Sequence, residues 1–409
     1  VSTAATTTAA RGADRRAQLV AAAATLFAER GYESVSVEDV AAAAGVTGPG
    51  VYRHFDDKQA LLAEVVLAGV GLLEQRSAAA LAPVDAAQDS DQGAAPAGGR
   101  VPALLAELVT LAVARPAAAV VWRWTGGHLA PADQREVARR AHVLLTTWGD
   151  AVRVQRPELT AADAELLCWA VMSVLGSTTV HRTRIGSARA RDLLRAAGGR
   201  VLGVQPGAAS PPLPPPAPLR TPGSRREQIL EASSRLFAER GYHAVGIDDI
   251  GAAVGIAGPS VYRHFPSKVS VLVAVCQRAA ERLALGVLDA LRVGRDAHDV
   301  LRRLVGSYVD ALLVSPDLRV GMSTDRTAVT GTDRDGLRRS QRELVAHWVR
   351  AEREVHPELA AADAAVLVHA GLTVANDLAR TRSVAGRPGL RAELVALVLA
   401  VLDVPSTPS

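Results

Sequence analysis

An all-α fold built as two tandem units is what this 409-residue sequence predicts, and three observations predict it. Apolar residues make up 49% of the chain but aromatic residues only 3%, so the core material is chiefly Ala, Val and Leu, which suits closely packed helices better than sheets. Apolar positions recur with helical spacing through most of the chain. Finally, RRAQLVAAAATLFAERGY from Arg15 returns as RREQILEASSRLFAERGY from Arg225, at an offset of 210 that holds without a gap to Lys58 and Lys268. About half of these positions are identical, too many for a chance repeat. Further on, RPELTAADAELL from Arg156 matches HPELAAADAAVL from His356 at an offset of 200, with Trp148 and Trp348 in register. The whole unit is duplicated, and the first copy is longer by about ten residues.

The elements of each copy follow in order. Leu19, Ala23, Leu26 and Phe27 share one helical face, and Gly31 stands where a left-handed residue would end that helix. A second helix starts at Val37, with Ser36 as its cap, Asp39 three residues on, Val40 and Ala44 on its buried side and Gly45 as its stop; the second copy has Gly246, a weaker cap, in place of Ser36. Pro49 then opens a short helix over 49–55, because proline suits a first turn where its missing N–H goes unneeded. Helix, tight glycine turn and short helix form a helix-turn-helix. Val51 and Phe55 are expected to face its core, which leaves Gly50, Arg53 and His54 outward and Tyr52 at the edge. Arginine can bond bidentately to guanine, and tyrosine and histidine can donate to phosphate oxygens.

Rare residues mark the same segments. All four phenylalanines and four of the five tyrosines lie in them, supplying bulk for two small cores. The chain holds two lysines, Lys58 and Lys268, and they occupy equivalent positions just beyond the short helix, at the start of a fourth. A cation there opposes the helix dipole unless an anion faces it, and a DNA phosphate would be such an anion; pairing of Lys58 with Asp57 is the plainer alternative. The first module is slightly acidic overall, so its DNA affinity would come from a few aimed groups, with the second copy the more basic.

LFAERGY, a helix ending in AAAAGV, then GPGVYRHF and a lysine three residues later together resemble the TetR (TetR/AcrR) family of bacterial repressors, over about 55 residues in each half. The resemblance implies a DNA-contacting set of Thr47, Gly48, Pro49, Gly50, Tyr52, Arg53, His54 and Lys58 in the first copy, and Gly258, Pro259, Ser260, Tyr262, Arg263, His264 and Lys268 in the second. Glycine at 48 and 258 departs from the polar residue common there, and Ala257 lacks the capping hydroxyl of Thr47. The expected organisation is a helix-turn-helix domain over 12–72, a helical regulatory domain over 73–203, a proline-rich linker over 204–221, a second helix-turn-helix domain over 222–282 and a second regulatory domain over 283–405.

Regulatory helices are expected over 59–82, 101–114, 133–155, 161–184 and 188–202, mirrored in the second copy. By resemblance they enclose a cavity for a small-molecule effector and supply pairing helices, so the two halves would pair within one chain, or two chains as a homodimer. Trp122, Trp124 and His128, around Gly126 and Gly127, and Met322 in the second copy are the candidate pocket residues, with ordinary packing as the alternative. The remaining tryptophans, His181 and His369 are expected in cores or interfaces. The linker's prolines favour an extended spacer, on the order of 60 Å across roughly 20 residues.

Other classes are excluded on chemistry. The expected partner is a double-stranded DNA operator, with no cofactor and no metal, since no His, Cys or carboxylate spacing suggests a ligand set. No phosphate-binding glycine loop, GxSxG or HExxH occurs, so an enzyme is not expected. The competing function is a helical ligand-binding or interaction protein whose duplicated helix-turn-helices no longer bind DNA specifically. A net charge of +4 decides nothing by itself. The longest apolar runs fall well short of the roughly 20 residues that span a bilayer, and two cysteines suit a reducing compartment, so a cytoplasmic location is expected.

Overall fold

The computed structural model describes residues 2–32, 34–82, 99–116, 128–181, 183–207, 223–321 and 328–405, with side chains from Asp14 onward. Two compact units divide the chain, Val1–Gly203 and Val204–Ser409. Every regular element among the described residues is helical. Unit one contains α1 (Ser2–Arg30), α2 (Val37–Ala43), α3 (Gly48–Val51), α4 (Lys58–Leu81), α5 (Arg100–Ala114), α6 (Pro131–Gln155), α7 (Ala161–Gly176) and α8 (Ser187–Gly203). Unit two contains α9 (Arg225–Arg240), α10 (Ile247–Ala253), α11 (Gly258–Val261), α12 (Lys268–Val293), α13 (Ala297–Val314), α14 (Pro316–Gly321), α15 (Gly331–Val355), α16 (Ala361–Leu378), α17 (Arg382–Ala385) and α18 (Leu390–Val401).

Local chemistry accounts for the helix ends. Gly31 at φ +83° and Gly45 at φ +66° stop α1 and α2, and Gly241 and Gly255 do the same in unit two. At α2 the Ser36 hydroxyl accepts from the Asp39 amide while the Asp39 carboxylate accepts from the Ser36 amide, a complete capping box. Gly246 provides only the second half, its amide donating to Asp249. Asp57 caps α4 by accepting from the Ala60 amide, and Ser267 with Ser270 caps α12. Thr47 makes no capping bond with its hydroxyl, so its replacement by Ala257 takes no cap away.

Two helices are shorter than their periodicity implies. The segment expected over 161–184 ends as an α-helix at Gly176, because the hydroxyls of Ser177, Thr178 and Thr179 donate back to the carbonyls of Val174, Leu175 and Gly176 and tighten the chain into a 3₁₀ turn. The helix expected over 49–55 is regular only through Val51, although the Phe55 amide still reaches the Val51 carbonyl at 3.1 Å.

In each unit the helix-turn-helix core continues into the helices that follow it. Leu19, Phe27, Val40, Val51, Phe55, Leu61 and Val66 pack with Leu129 and Val137, and in unit two Ile229, Phe237, Ile250, Val261, Phe265 and Leu272 pack with Val329 and Leu337. Each such buried side chain contributes about 1.5–3 kcal/mol, and the shared core seats the helix-turn-helix on the bundle behind it. Helices α4 and α12 run through the expected boundaries at 72/73 and 282/283 as unbroken rods. Behind them α5 packs on α4 and α8, α6 on α7, and α7 on α8; in unit two α13 packs on α12, α15 on α16, and α16 on α18. Residues Trp148 and Trp348 are buried in these bundles. Burial pushes the Cys168 thiol up to about 12, with Glu165 adding to the effect, so it stays an inert apolar filler.

Candidate DNA-contacting face

The short helix α3 and the turn after it are set inward by the buried Val51 and Phe55. What remains points outward: Tyr52 is 52% exposed, Arg53 is exposed and His54 half-buried. Unit two repeats this with Tyr262, also 52% exposed, and with Arg263 and His264 exposed. Thr47, Pro49 and Pro259 are exposed as well, while Gly50 and Ser260 are half-covered. The predicted contact residues are exposed or half-buried in each module, with the exception of Gly258, which is buried.

Gly48 and Gly258 occupy the same sequence position but different surroundings. A Cβ at Gly48 would have only the Glu38 carboxylate within reach, at 3.9 Å. At Gly258 it would lie 1.9 Å from Asp248 Oδ1 and 3.1 Å from the Asp248 Cα. A second difference lies seven residues back, on the preceding helix: unit one has Ala41 on the inner side of α2, whereas unit two has Gly251, and a Cβ there would meet the Ile256 carbonyl at 2.8 Å and the Gly258 amide at 2.9 Å. In unit two α10 and α11 are drawn together through this glycine pair, and position 258 is a packing site.

Both lysines have found the same partner. The Lys58 ammonium stands 4.1 Å from the centre of the Tyr32 ring, and that of Lys268 stands 4.2 Å from the centre of the Tyr242 ring. Asp57, the partner considered from sequence, spends its carboxylate on capping α4. Each tyrosine is braced edge-on by a phenylalanine of the preceding helix at 5.3 Å, Phe27 in unit one and Phe237 in unit two. Arg16 and Arg226 lie over Phe55 and Phe265 at 4.6 Å, and Arg16 further donates to the His54 carbonyl and pairs with Glu64, both at 2.8 Å. These arginines and tyrosines were missed from sequence. The available signal was that tyrosine precedes lysine by 26 residues in both copies.

His128, expected in a pocket, lies against Tyr32 with ring centres 4.9 Å apart and planes tilted by 43°, and its carbonyl accepts from Gln59 at 2.8 Å. It thus joins the segment before α6 to the residue beside Lys58. Trp122, Trp124 and Met322 lie outside the described residues, as do most of the linker and of the loop before α5. A cleft opens in unit two among α12, α14 and α15, lined by Cys276, Ala279, Leu283, Gly321, Leu337 and Leu344, with Ser340 and Gln341 as its polar residues. At the matching place in unit one Arg140 forms a bidentate pair with Glu74 across to α4. Among the described residues no group of three metal-binding side chains occurs, and no helix is long and apolar enough to cross a membrane.

Duplicated helix-turn-helix modules on helical bodies define the class. A family profile described as "Bacterial regulatory proteins, tetR family" matches residues 19–65 and again 229–275, so the start of each copy is similar to the N-terminal domain of that family. The chain is 43% identical over 86 residues to the HTH-type transcriptional activator FasR of Mycolicibacterium smegmatis, covering 21% of this chain and 39% of that protein. It is 46% identical over 100 residues to the HTH-type transcriptional repressor KstR2 of Rhodococcus jostii, covering 24% of this chain and 49% of that one. These matches span half or less of the relatives' length. Among solved structures, a TetR-family transcriptional regulator from Bordetella parapertussis is similar at a TM-score of 0.41 and 24% identity, over 44% of this chain and 95% of that one.

Proposed function

We propose that this chain is a DNA-binding transcriptional repressor whose two helix-turn-helix modules engage one double-stranded operator, the halves pairing within the chain as a pseudo-dimer. The observation that carries this reading is the repeated solvent-facing set of tyrosine, arginine and histidine beside a lysine at the short helix of both modules. Exposed side chains contribute little to folding, so their joint retention after duplication is better explained by a surface they both serve. Two recognition helices on one operator lie about one turn, roughly 34 Å, apart. A tether makes their pairing intramolecular, at about millimolar effective concentration. Half-sites should be unequal, because Gly50 in one module corresponds to Ser260 in the other.

The effector reading rests on unit two. Its cleft has an apolar body with Ser340 and Gln341 as the polar residues, which suits a small, largely apolar molecule carrying one hydrogen-bonding group. In unit one the Arg140–Glu74 pair fills the corresponding place. Such a ligand would act by favouring one spacing of the modules over another, since it shifts an equilibrium only by its differential affinity.

Selection of duplexes from a randomised pool by the full-length chain, followed by footprinting, tests the proposal. Enrichment of a site with two unequal protected halves about one turn apart is expected. Failure to enrich any sequence would overturn the reading in favour of a protein whose modules no longer recognise DNA.

A further inference from the structure

Helix electrostatics disfavours the position of both lysines. Lys58 and Lys268 are the first residues of α4 and α12, where aligned peptide dipoles leave a partial positive charge. The residue before each differs, Asp57 in one unit and Ser267 in the other. The common feature is an aromatic face under each ammonium, at 4.1 and 4.2 Å. Each ring is fixed in turn by its phenylalanine and by the positive-φ glycine immediately before it, Gly31 or Gly241.

We propose that Tyr32 and Tyr242 are positioning residues for DNA binding, each holding its lysine ammonium at the mouth of the following helix so that the charge is ready for a phosphate oxygen. This deepens the DNA-binding reading above and rests on it. A carboxylate in the tyrosine's place would also hold the ammonium, but it would cancel the charge and repel the phosphate. The ring's negative face attracts the cation while leaving the net charge unchanged. It also limits the lysine's rotamers before DNA arrives, which lowers the ordering cost of binding.

With two lysines in the chain, ¹⁵N-lysine labelling of the full-length protein yields two side-chain ammonium signals, assigned by Lys58→Ala and Lys268→Ala. Without DNA, ring currents should shift the Lys268 side-chain protons upfield, and Tyr242→Phe should retain that shift. Site-specific replacement of Tyr242 by phenylalanines of increasing ring fluorination keeps the shape and removes the negative face stepwise. Affinity for the selected duplex should then fall in parallel steps, by about two- to fivefold in all, and the same series in a Lys268→Ala background should be flat. If Lys268→Ala weakens binding and lowers the salt slope while the fluorination series is flat, the tyrosine is core filling and the proposal is overturned alone. If Lys268→Ala leaves affinity and slope unchanged, the phosphate-contact reading of that lysine falls and the proposal falls with it. Absence of the upfield shift in the free protein would overturn the stack itself, whatever the DNA result.

Discussion

The two units carry nearly the same helix-turn-helix head but fasten it to the body by different means. In unit two Arg278 on α12 makes a bidentate pair with Asp317 at 2.7 and 2.8 Å, and it also reaches Glu227 at 3.1 Å and Glu231 at 3.4 Å on the first helix of the head. Burial opposes its charge, yet these carboxylates more than offset that and hold its pKa above the ordinary arginine value. Unit one has Ala68 at the matching position and uses the Gln59–His128 bond and the His128–Tyr32 contact. Unit two in turn has Val269 and Ala328 there, both packed against its apolar core. Duplication has kept the exposed residues and the tyrosine–lysine contact, while the contacts between the helix-turn-helix and the helices behind it have diverged.

Breaking the junction of unit two should have the largest effect. Arg278→Ala leaves Asp317, 2% exposed, as a buried charge without its guanidinium, at a cost of about 3–5 kcal/mol. Hydrogen exchange of the full-length chain should show lost protection across α9 and α14, with unit one unchanged.

Next comes the glycine pair. Gly251→Ala makes α10 resemble α2, but its Cβ meets backbone at 2.8–3.0 Å, so the helices must separate at about 1–3 kcal/mol. The reverse change, Ala41→Gly, should cost about 0.5–1 kcal/mol from chain entropy. Denaturant titration of both variants measures this contrast, and equal costs would mean that the two heads pack alike.

Gln59→Val, which copies Val269, removes one hydrogen bond between head and body at about 0.5–1.5 kcal/mol. It should loosen residues 128–130 in hydrogen exchange without touching unit two.

The smallest effect is a pH dependence. Burial lowers the pKa of His369 from its ordinary value near 6.5, whereas unit one has Trp169 at that place. Folding keeps this imidazole neutral, so its contribution is complete above about 6.5 and is lost as pH falls below that. His369→Gln should flatten that part of the stability–pH curve.

Local signals made the heads legible. Face spacing, the glycine stops, Ser36 with Asp39 and the repeat itself place α1 to α4 and the outward set of Tyr52, Arg53 and His54 before any coordinates. What remained hidden depends on contacts between distant residues. Arg140 meets Glu74 across 66 positions and Arg278 meets Asp317 across 39, and helical periodicity says nothing about such pairings. The enclosure of Gly258 accompanies Gly251 and Asp248, where unit one has Ala41 and Glu38, differences that read as ordinary in sequence. The end of α7 was misread because its Ser and Thr residues fit an apolar helix by spacing while their hydroxyls compete for its carbonyls.

The mass of the complex on a selected duplex tests the tandem reading most directly. Light scattering of the full-length chain with that duplex should give one chain per duplex, and Lys58→Ala and Lys268→Ala should each lower the salt-dependence slope by about one while leaving base preference intact. A complex of two chains per duplex, in which only one of the two lysine variants changes the slope, would contradict it: one module would then be silent and the operator would be read by a homodimer.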